Sequence, residues 1–183
     1  MATTERIGEG LTFEKVWAAL MENREQMKET DRRMKETDRQ ISNLGSRLGE
    51  LVEEIIFPNI VEKFNKLGYV FGRAGRRVGY RDSQGQYLAE VDILLENGDT
   101  ALAVEVKTHL THNDVREHRQ RMEKLRRYAD EHGDKRKLLG AVAGGIASEE
   151  VKAFAVKSGF FVLEQSGDTV KISVPEDFKP REW

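Results

Sequence analysis

The chain has 183 residues, of which 38% are hydrophobic and 34% are charged, so it is long enough for one ordinary domain with an appendage but not for two large domains. Its 30 basic and 32 acidic side chains nearly cancel at a formal net charge of -2, and cysteine is absent, which excludes disulfides, thiolate nucleophiles and cysteine-ligated metal sites. Residues 1–10 lack the apolar core of a signal peptide, and the longest apolar stretch, 138–147, is far shorter than the roughly 20 residues that cross a bilayer. We therefore expect a cytoplasmic protein that does not insert into a membrane.

The first predicted element is a long helix whose sequence repeats every seven residues. Residues 27–33 return almost unchanged as residues 34–40, and a seven-residue period is the signature of a coiled coil. The register gives one seam position that is apolar throughout and a second that is apolar only near its ends. The first position holds Phe13, Leu20, Met27, Met34, Ile41, Leu48 and Ile55, and the second holds Val16, Asn23, Thr30, Thr37, Leu44 and Leu51.

This pattern predicts a self-associating stalk, and hence a homo-oligomer, because a lone helix with so few apolar residues does not bury a full face. The alternative is a single solvated helix held by ion pairs between residues three or four apart. Gly45 and Gly49 are expected to interrupt the helix. The predicted organisation is an N-terminal segment with a coiled-coil stalk over residues 1–46, followed by a domain over 47–183. The number of associating copies stays open.

After Gly49 the seven-residue period gives way to alternating runs, which predict an α/β domain with a mixed sheet flanked by helices. The expected order is a helix, a strand, a glycine-rich loop, two strands, a long helix, a strand, a short helix and two strands. Gly68 and Gly133 are expected to end the first and second helices, and Ser148 to cap the third. The elements are assigned to residues 48–67, 69–73, 87–96, 100–107, 114–131, 138–143, 149–157, 160–164 and 169–174.

The strands 87–96 and 100–107 form the hairpin that carries the chemistry. Asn97-Gly98 between them predicts a type I′ turn, which needs positive φ at both central residues. A two-residue loop at this point places Glu90 opposite Glu105. Alternation then gives one apolar face, expected to pack on the core, and one face with three carboxylates and a lysine. The apolar face holds Val91, Ile93, Leu95, Leu102, Val104 and Val106, and the other face holds Glu90, Asp92, Leu94, Ala101, Ala103, Glu105 and Lys107.

Carboxylates that face one another on a partly covered surface are destabilising, and a divalent cation would remove this conflict. Oxygen ligands at this spacing suit Mg²⁺, which takes one or two protein carboxylates and fills its other positions with water and phosphate oxygen. Lys107 is then placed to orient a water or to neutralise charge on a phosphate. The alternative is a surface hairpin in which Lys107 only pairs with Glu105 or Asp92.

Asp92, followed after twelve residues by Glu105-Val106-Lys107 on the next strand, resembles the signature of the PD-(D/E)XK nuclease superfamily, which has the restriction-endonuclease-like fold. The order helix, three strands, helix, strand over residues 48–143 is similar to the core of that fold. Gly49, Glu53 and Gly68-Tyr69 resemble the Holliday-junction-resolvase type, and more narrowly a bacterial branch that places a coiled coil before this domain. The resemblance implies Mg²⁺-dependent hydrolysis of phosphodiester bonds in nucleic acid, with DNA as the first expectation and Mn²⁺ able to substitute.

The resemblance also implies roles for individual residues. Asp92 and Glu105 would ligate the metal, the Val106 carbonyl would be a further ligand, and Lys107 would lie at the nucleophilic water. Two positions depart from the family pattern, since Val91 stands where the family has proline and Glu90 has no counterpart.

A carboxylate on the first helix would assist the metal. Glu50, Glu53 and Glu54 all precede Ile55, and helical geometry does not choose between Glu53 and Glu54. We favour Glu53 because its offset from Gly49 matches the resemblance.

Basic residues are concentrated between residues 63 and 81, which contain six of them and no acidic residue. We expect the glycine-rich segment here to be a mobile loop whose arginines contact a phosphate backbone, with tyrosines on which bases stack. The helix 114–131 repeats the basic bias and would extend this surface. The alternative is a loop that only keeps the protein soluble. The candidate nucleic-acid-binding residues are Arg73, Arg76, Arg77, Arg81 and Arg119.

The histidines give weaker indications. His118 lies on the apolar stripe of helix 114–131 and is expected to be a hydrogen-bonded core residue, with a functional role as the alternative. His109 and His112 are spaced like a metal pair, but no third and fourth ligand is evident, so zinc is not expected. The second functional hypothesis is a non-catalytic nucleic-acid-binding or scaffold protein with a nuclease-like fold.

Overall fold

The computed structural model describes residues 12–167 and 169–183, so the expectation about residues 1–10 lies outside the described residues. The chain divides into two compact units, Met1–Ser46 and Arg47–Trp183. Among the described helices, none has a stretch long and apolar enough to cross a membrane.

The first helix, α1, runs without interruption from Phe13 to Lys66. The expectation that Gly45 and Gly49 interrupt it is therefore wrong. A glycine inside a helix costs only about 1 kcal/mol relative to alanine, and the helical residues on both sides of each glycine outweigh that cost. Gly68, with φ 90°, follows the helix end as expected.

Six strands form one mixed sheet in the order β1-β2-β3-β4-β5-β6. The pairs β1–β2, β2–β3 and β5–β6 are antiparallel, and β3–β4 and β4–β5 are parallel. The helices α2 and α3 supply the crossovers that parallel neighbours require. The bounds are β1 Arg73–Arg81, β2 Tyr87–Glu96, β3 Thr100–His109, α2 His112–Glu131, β4 Lys137–Ile146, α3 Glu149–Lys157, β5 Phe161–Ser166 and β6 Thr169–Ile172. The expected α/β class and the order helix, three strands, helix, strand are confirmed.

The hydrophobic core of residues 47–183 consists of two layers, one on each face of the sheet. On one face, α1 buries a side chain at every fourth position, from Val52 to Phe64, which is the spacing of one helical stripe. These side chains pack with sheet residues such as Ile93, Val104 and Phe161. On the other face, residues of α2 and α3 cover Leu94, Ala101 and Ala103 among others, so the face predicted to be partly covered is covered.

The first strand differs from the prediction. Residues 69–73 were expected to form a strand and the following glycine-rich segment a mobile loop, whereas β1 begins at Arg73 and extends to Arg81. The arginines and glycines of this segment show no alternation of apolar and polar residues. It becomes a strand because its backbone pairs with β2 along eight positions, from Arg73–Glu96 to Arg81–Tyr87, at the edge of the described sheet.

The hairpin turn also differs from the prediction. The Asn97 N–H donates to Thr100 O at 2.9 Å, so Gly98 and Asp99 form the tip, and Gly98 is not among the positive-φ residues. The cause is the Asn97 side chain, whose Oδ1 accepts from Asp99 N at 2.9 Å and from Thr100 N at 2.7 Å. A side-chain acceptor of this kind replaces the backbone turn that Asn-Gly was expected to form.

Moving the turn by one residue shifts the partners across the hairpin by two. The ladder pairs Ile93 with Val104 and Leu94 with Ala103, so continuing it by one step places Asp92, and not Glu90, at the level of Glu105. The predicted pairing of Glu90 with Glu105 is therefore wrong. A shift of two residues by itself leaves each side chain on its predicted face, because side chains alternate with a period of two.

One residue of the predicted apolar face lies on the opposite side of the sheet. Ile93 and Leu95 pack in the layer with α1, but Val91 packs with Leu94 in the layer with α2. The switch falls where Arg77 of β1 has φ 51°, between the pairs Arg76–Ile93 and Val78–Val91. Because the alternation is reset at this point, Asp92 lies at an irregularity of β2.

Candidate active site

Asp92 joins β2 to the segment Glu105-Val106-Lys107 of β3. Its Oδ2 accepts a hydrogen bond from the Val106 N–H at 2.7 Å, and the residue is partly buried. The bond stands beyond the last regular pair of the ladder, Ile93–Val104. A carboxylate therefore closes the hairpin next to the Val106 peptide group.

Glu53 of α1 lies close to Asp92. Its side chain is 15% exposed, and burial, followed by the charge of Asp92, raises its pKa above the usual value. Arg77 opposes this shift, with its Nε 3.5 Å from Glu53 Oε2. Glu50 and Glu54 are exposed. Of the three candidate glutamates on α1, Glu53 is the one that combines partial burial with the field of Asp92.

Glu105 is only 3% exposed, and both of its oxygens face cations. Lys107 Nζ lies 2.9 Å from Oε1, and the Arg121 guanidinium of α2 donates to Oε2. The sequence pattern assigned Arg121 only to the solvated basic side of its helix. The available signal was its spacing of three from His118, which places it beside the buried stripe of α2.

His118 is fully buried on α2, as expected for a core histidine. Its Nε2 lies 3.3 Å from Ala103 O, and because a carbonyl only accepts, the neutral ring carries its proton on Nε2. Burial lowers the pKa of His118 to about 4. Its Nδ1 has no hydrogen-bond partner in the described structure and lies 3.9 Å from Glu105 Oε2.

The structure places Arg76 and Arg77 beside the acidic face of α1. They line a cavity of ≈ 480 Å³ together with three glutamates of α1. The Arg76 guanidinium lies 5.1 Å from the centroid of the Phe57 ring. Arg77 Nη2 lies 3.3 Å from Glu50 Oε1, so both arginines are held against α1 near Glu53.

The other three candidate arginines are farther from this cavity. Arg73 Nε lies 3.6 Å from Glu96 Oε2, and Arg81 Nη1 donates to Gly85 O at 3.2 Å. Arg119 is exposed on α2. The five arginines therefore do not form a single cluster, since four follow the edge strand β1 and one lies on a helix.

The oxygen donors of the hairpin fit Mg²⁺ by their chemistry. In the described part of the chain, no three His, Cys, Asp or Glu side chains are grouped closely enough to hold a metal ion by themselves. Mg²⁺ does not need such a group, because it commonly takes one or two carboxylates and retains several waters. The carboxylates of Asp92 and Glu105 and the Val106 carbonyl supply oxygen ligands of the kind it prefers.

Comparison with protein-family models finds no match, and comparison with curated proteins finds none either. Among solved structures, the chain is similar to a chain of an EndoMS–dsDNA2 complex at 18% identity and a TM-score of 0.35, over 57% of this chain and 44% of that one. It is also similar to the small subunit, R.BspD6I2, of the heterodimeric restriction endonuclease R.BspD6I at 16% identity and a TM-score of 0.31, over 59% and 62%. The match therefore spans less than two thirds of either protein, and neither likeness carries an argument about the function of this chain.

Proposed function

We propose that this protein hydrolyses phosphodiester bonds of nucleic acid, DNA in the first place, with Mg²⁺ as cofactor. The observation that carries the proposal is the 2.7 Å hydrogen bond from Val106 N to Asp92 Oδ2. It holds the Asp92 carboxylate against the Glu-Val-Lys segment, and the electrostatic influence of Asp92 on Glu53 adds a second carboxylate from α1.

In this proposal Asp92, Glu105 and the Val106 carbonyl hold the ion. The ion supplies Lewis-acid charge that polarises the phosphate and favours deprotonation of water. Lys107 has a side chain that is 38% exposed, so its ammonium is accessible to a phosphate oxygen or a water, where its charge would stabilise the transition state. Glu53 has a raised pKa, so it is better suited than an ordinary carboxylate to take up a proton near Asp92.

The proposed path of the nucleic acid follows the exposed arginines of β1. Phosphate contacts of this kind release counterions and give affinity without sequence preference. Arg77 is the link between this strand and the candidate site, because it contacts Glu53 and Glu50.

The first test is titration of Mn²⁺ into the protein by calorimetry, which requires no choice of substrate. Wild type is expected to bind the ion, and Asp92→Asn to bind it at least roughly tenfold more weakly, since a charged ligand is replaced by an amide of equal size. Asp99→Asn, at the tip of the same hairpin, is the matched control and should bind like wild type. Equal affinity of wild type and Asp92→Asn would contradict the proposed ligand set.

Cleavage itself is tested on a panel of linear, circular and branched nucleic acids with Mg²⁺. Asp92→Ala and Lys107→Ala are expected to lose cleavage while their circular dichroism spectra stay like that of wild type. Retained cleavage in either variant would contradict the assigned roles.

A second candidate function is non-catalytic binding of nucleic acid, in which the nuclease-like domain acts as a scaffold. The observation that favours it is Glu105, whose two oxygens are both paired with cations, Lys107 and Arg121. Under this hypothesis wild type binds nucleic acid without cutting it, and Asp92→Asn leaves the binding unchanged.

A further inference from the structure

We infer that residues 13–44 of α1 pair with the same residues of a second copy of this chain, parallel and in register, as a two-stranded coiled coil. The inference concerns α1 alone and does not rest on the proposed hydrolysis. It extends the expected self-association by assigning its direction, its register and the side-chain contacts that set each of them.

The surface involved is the apolar seam of the heptad repeat. Four large side chains that recur every seven residues are exposed in the single chain, namely Leu20 (56%), Met27 (66%), Met34 (57%) and Ile41 (63%). Knobs at this spacing insert into holes on a facing helix that has the same repeat. A second copy provides such a helix.

The threonines in the middle of the seam are compatible with burial. Thr30 Oγ1 donates to Gln26 O at 2.9 Å, and Thr37 Oγ1 donates to Arg33 O at 2.9 Å. Because both hydroxyls are satisfied inside their own helix, a facing helix covers them without leaving a donor unpaired. The polar appearance of this part of the seam is therefore no obstacle to pairing.

Asn23 distinguishes the two possible directions. In a parallel, in-register pair its amide meets Asn23 of the second copy, and two amides satisfy each other by hydrogen bonding. In an antiparallel pair that overlaps residues 13–44, seam positions from opposite ends meet, and Asn23 faces Met34. That arrangement buries an amide against a thioether, which is only a weak acceptor and leaves the amide donors unpaired, and this is unfavourable.

The charges beside the seam favour the in-register alignment of the parallel pair. In a parallel pair, the residue before one seam position faces the residue five places later on the other helix. Arg33 then meets Asp38 of the second copy, and symmetry forms this ion pair twice. In the antiparallel overlap of residues 13–44, Arg33 faces Gln26 and this ion pair is lost, while Arg24 faces Asp31, so the direction is set by Asn23 and not by charge.

Asp38 is available for the ion pair with Arg33 of the second copy, because the described ion pairs within one helix do not use it. Arg33 Nε lies 2.9 Å from Glu29 Oε1, and Arg39 Nη2 lies 3.9 Å from Glu36 Oε1. Asp38 takes part in no ion pair between described residues. Its charge is therefore compensated in the parallel pair but not in the single helix.

Disulfide mapping tests the direction directly, because the chain contains no cysteine and each introduced thiol is unique. Asn23→Cys is expected to form disulfide-linked dimers under mild oxidation, whereas Ala18→Cys, on the outer side of the helix, forms none. When Asn23→Cys and Met34→Cys proteins are mixed and oxidised, mass spectrometry should find only dimers of like variants. Dimers that join the two variants, or failure of Asn23→Cys to crosslink, would overturn the inference.

Charge reversal tests the register and the number of copies. Sedimentation equilibrium of wild type should give twice the mass of the chain, and Arg33→Glu should dissociate roughly tenfold more readily, because two attractive contacts become repulsive. Adding Asp38→Lys to Arg33→Glu should restore the affinity. Arg32→Glu is the matched control, since Arg32 lies on the outer side and contacts the same Glu29.

A trimeric or larger mass, a monomer at all concentrations, or equal dissociation of Arg33→Glu and Arg32→Glu would each contradict the inference. Full restoration by the second substitution separates a contact between copies from a loss of helix stability, because residues 33 and 38 do not face each other on one helix.

Discussion

Arg121 and Glu105 show how a single ion pair bears on the candidate site. A carboxylate that is 3% exposed needs compensating charge, and Arg121 and Lys107 provide it. The same two cations oppose a divalent ion at this carboxylate, because like charges repel across a poorly solvated gap. Under the proposed function, metal binding and the Arg121 contact would therefore compete at Glu105.

The substitution Arg121→Ala is expected to strengthen Mn²⁺ binding about tenfold, since one competing positive charge is removed while Lys107 still compensates Glu105. Calorimetry on wild type and variant measures the change. Arg127→Ala, an exposed arginine of the same helix, is the control and should leave the affinity unchanged. Weaker binding by Arg121→Ala would show that the guanidinium positions Glu105 rather than competing for it.

A second residue-scale prediction concerns the pH dependence of folding. Arg136 contacts Asp134 at 2.6 Å and Glu96, the last residue of β2, at 2.8 Å. Its hydrogen bonds lower the pKa of Asp134 from 3.8 to about 2. The unfolded chain thus binds the proton more readily than the folded protein, and the stabilisation is complete above pH 3.8 and is lost as the pH falls through 2.

Asp134→Asn should lower the free energy of unfolding by about 1 kcal/mol at pH 7, a value reduced from the full linkage energy because the side chain is partly exposed to solvent. The difference from wild type should shrink as the pH approaches 2. Urea unfolding of both proteins at the two pH values measures it. An equal difference in the free energy of unfolding at both pH values would show that the effect comes from packing and not from the charge of Asp134.

At the scale of the elements, a helix or strand is predictable from the sequence when its own residues show a hydrophobic period. It is not predictable when its conformation depends on a partner elsewhere in the chain. The helices α2 and α3 and the strands β2 to β5 carry their own hydrophobic period, and each was located to within a few residues. The segment that became β1 has no such period, because its strand conformation is supplied by the backbone of β2. Propensity within a segment does not report a partner that lies elsewhere in the chain.

The same reasoning separates the parts of the candidate site. The hairpin that carries Asp92 on one strand and Glu105 and Lys107 on the next was predictable, but its register and the reset of the alternation at Asp92 were not, because both depend on contacts that the period-two pattern does not report. Arg121 was not predictable as a partner of Glu105, since α2 brings it there only by packing on the sheet. The sequence did not decide which glutamate of α1 is the helix carboxylate for the same reason, because the partial burial of Glu53 results from the packing of α1 on the sheet.

The packing of β4 gives a prediction at this scale. Gly140 lies where a Cβ atom would be 2.4 Å from the Phe160 ring and 3.4 Å from Met122, so Gly140→Ala overpacks the layer between β4 and α2. We expect a loss of about 1–3 kcal/mol in the free energy of unfolding, measured by urea denaturation. Gly98→Ala, with no atom within 4 Å of its added Cβ, is the control. Equal stability of the two variants would mean that Phe160 relaxes without cost.

At the scale of the whole molecule, charge is segregated although the formal net charge is only -2. The arginines of β1 line one edge of the described sheet, while Lys171 belongs to β6 at the other edge. A protein whose net charge is close to zero attracts a polyanion only through a local basic surface of this kind. Binding of nucleic acid, if it follows the proposal, should depend steeply on salt and on this edge.

Replacing Arg73 and Arg81 together by alanine should reduce the slope of log affinity against log salt by about 2, one for each phosphate contact removed. Fluorescence anisotropy with labelled duplex DNA, without divalent metal, measures the slope. Lys171→Ala is the control on the opposite edge of the sheet. An unchanged slope in the double variant would exclude the β1 edge from the interface.

The position of β1 at the edge of the sheet also bears on solubility. An edge strand offers unpaired backbone N–H and C=O groups to any other exposed strand, and proteins commonly block such edges with charged side chains. The arginines of β1 therefore keep concentrated protein from aggregating through strand addition, whatever they bind. Variants that replace several of these arginines with β-branched residues would expose an edge strand that pairs with other chains. Precipitation, and not weaker ligand binding, would then be their first observable defect.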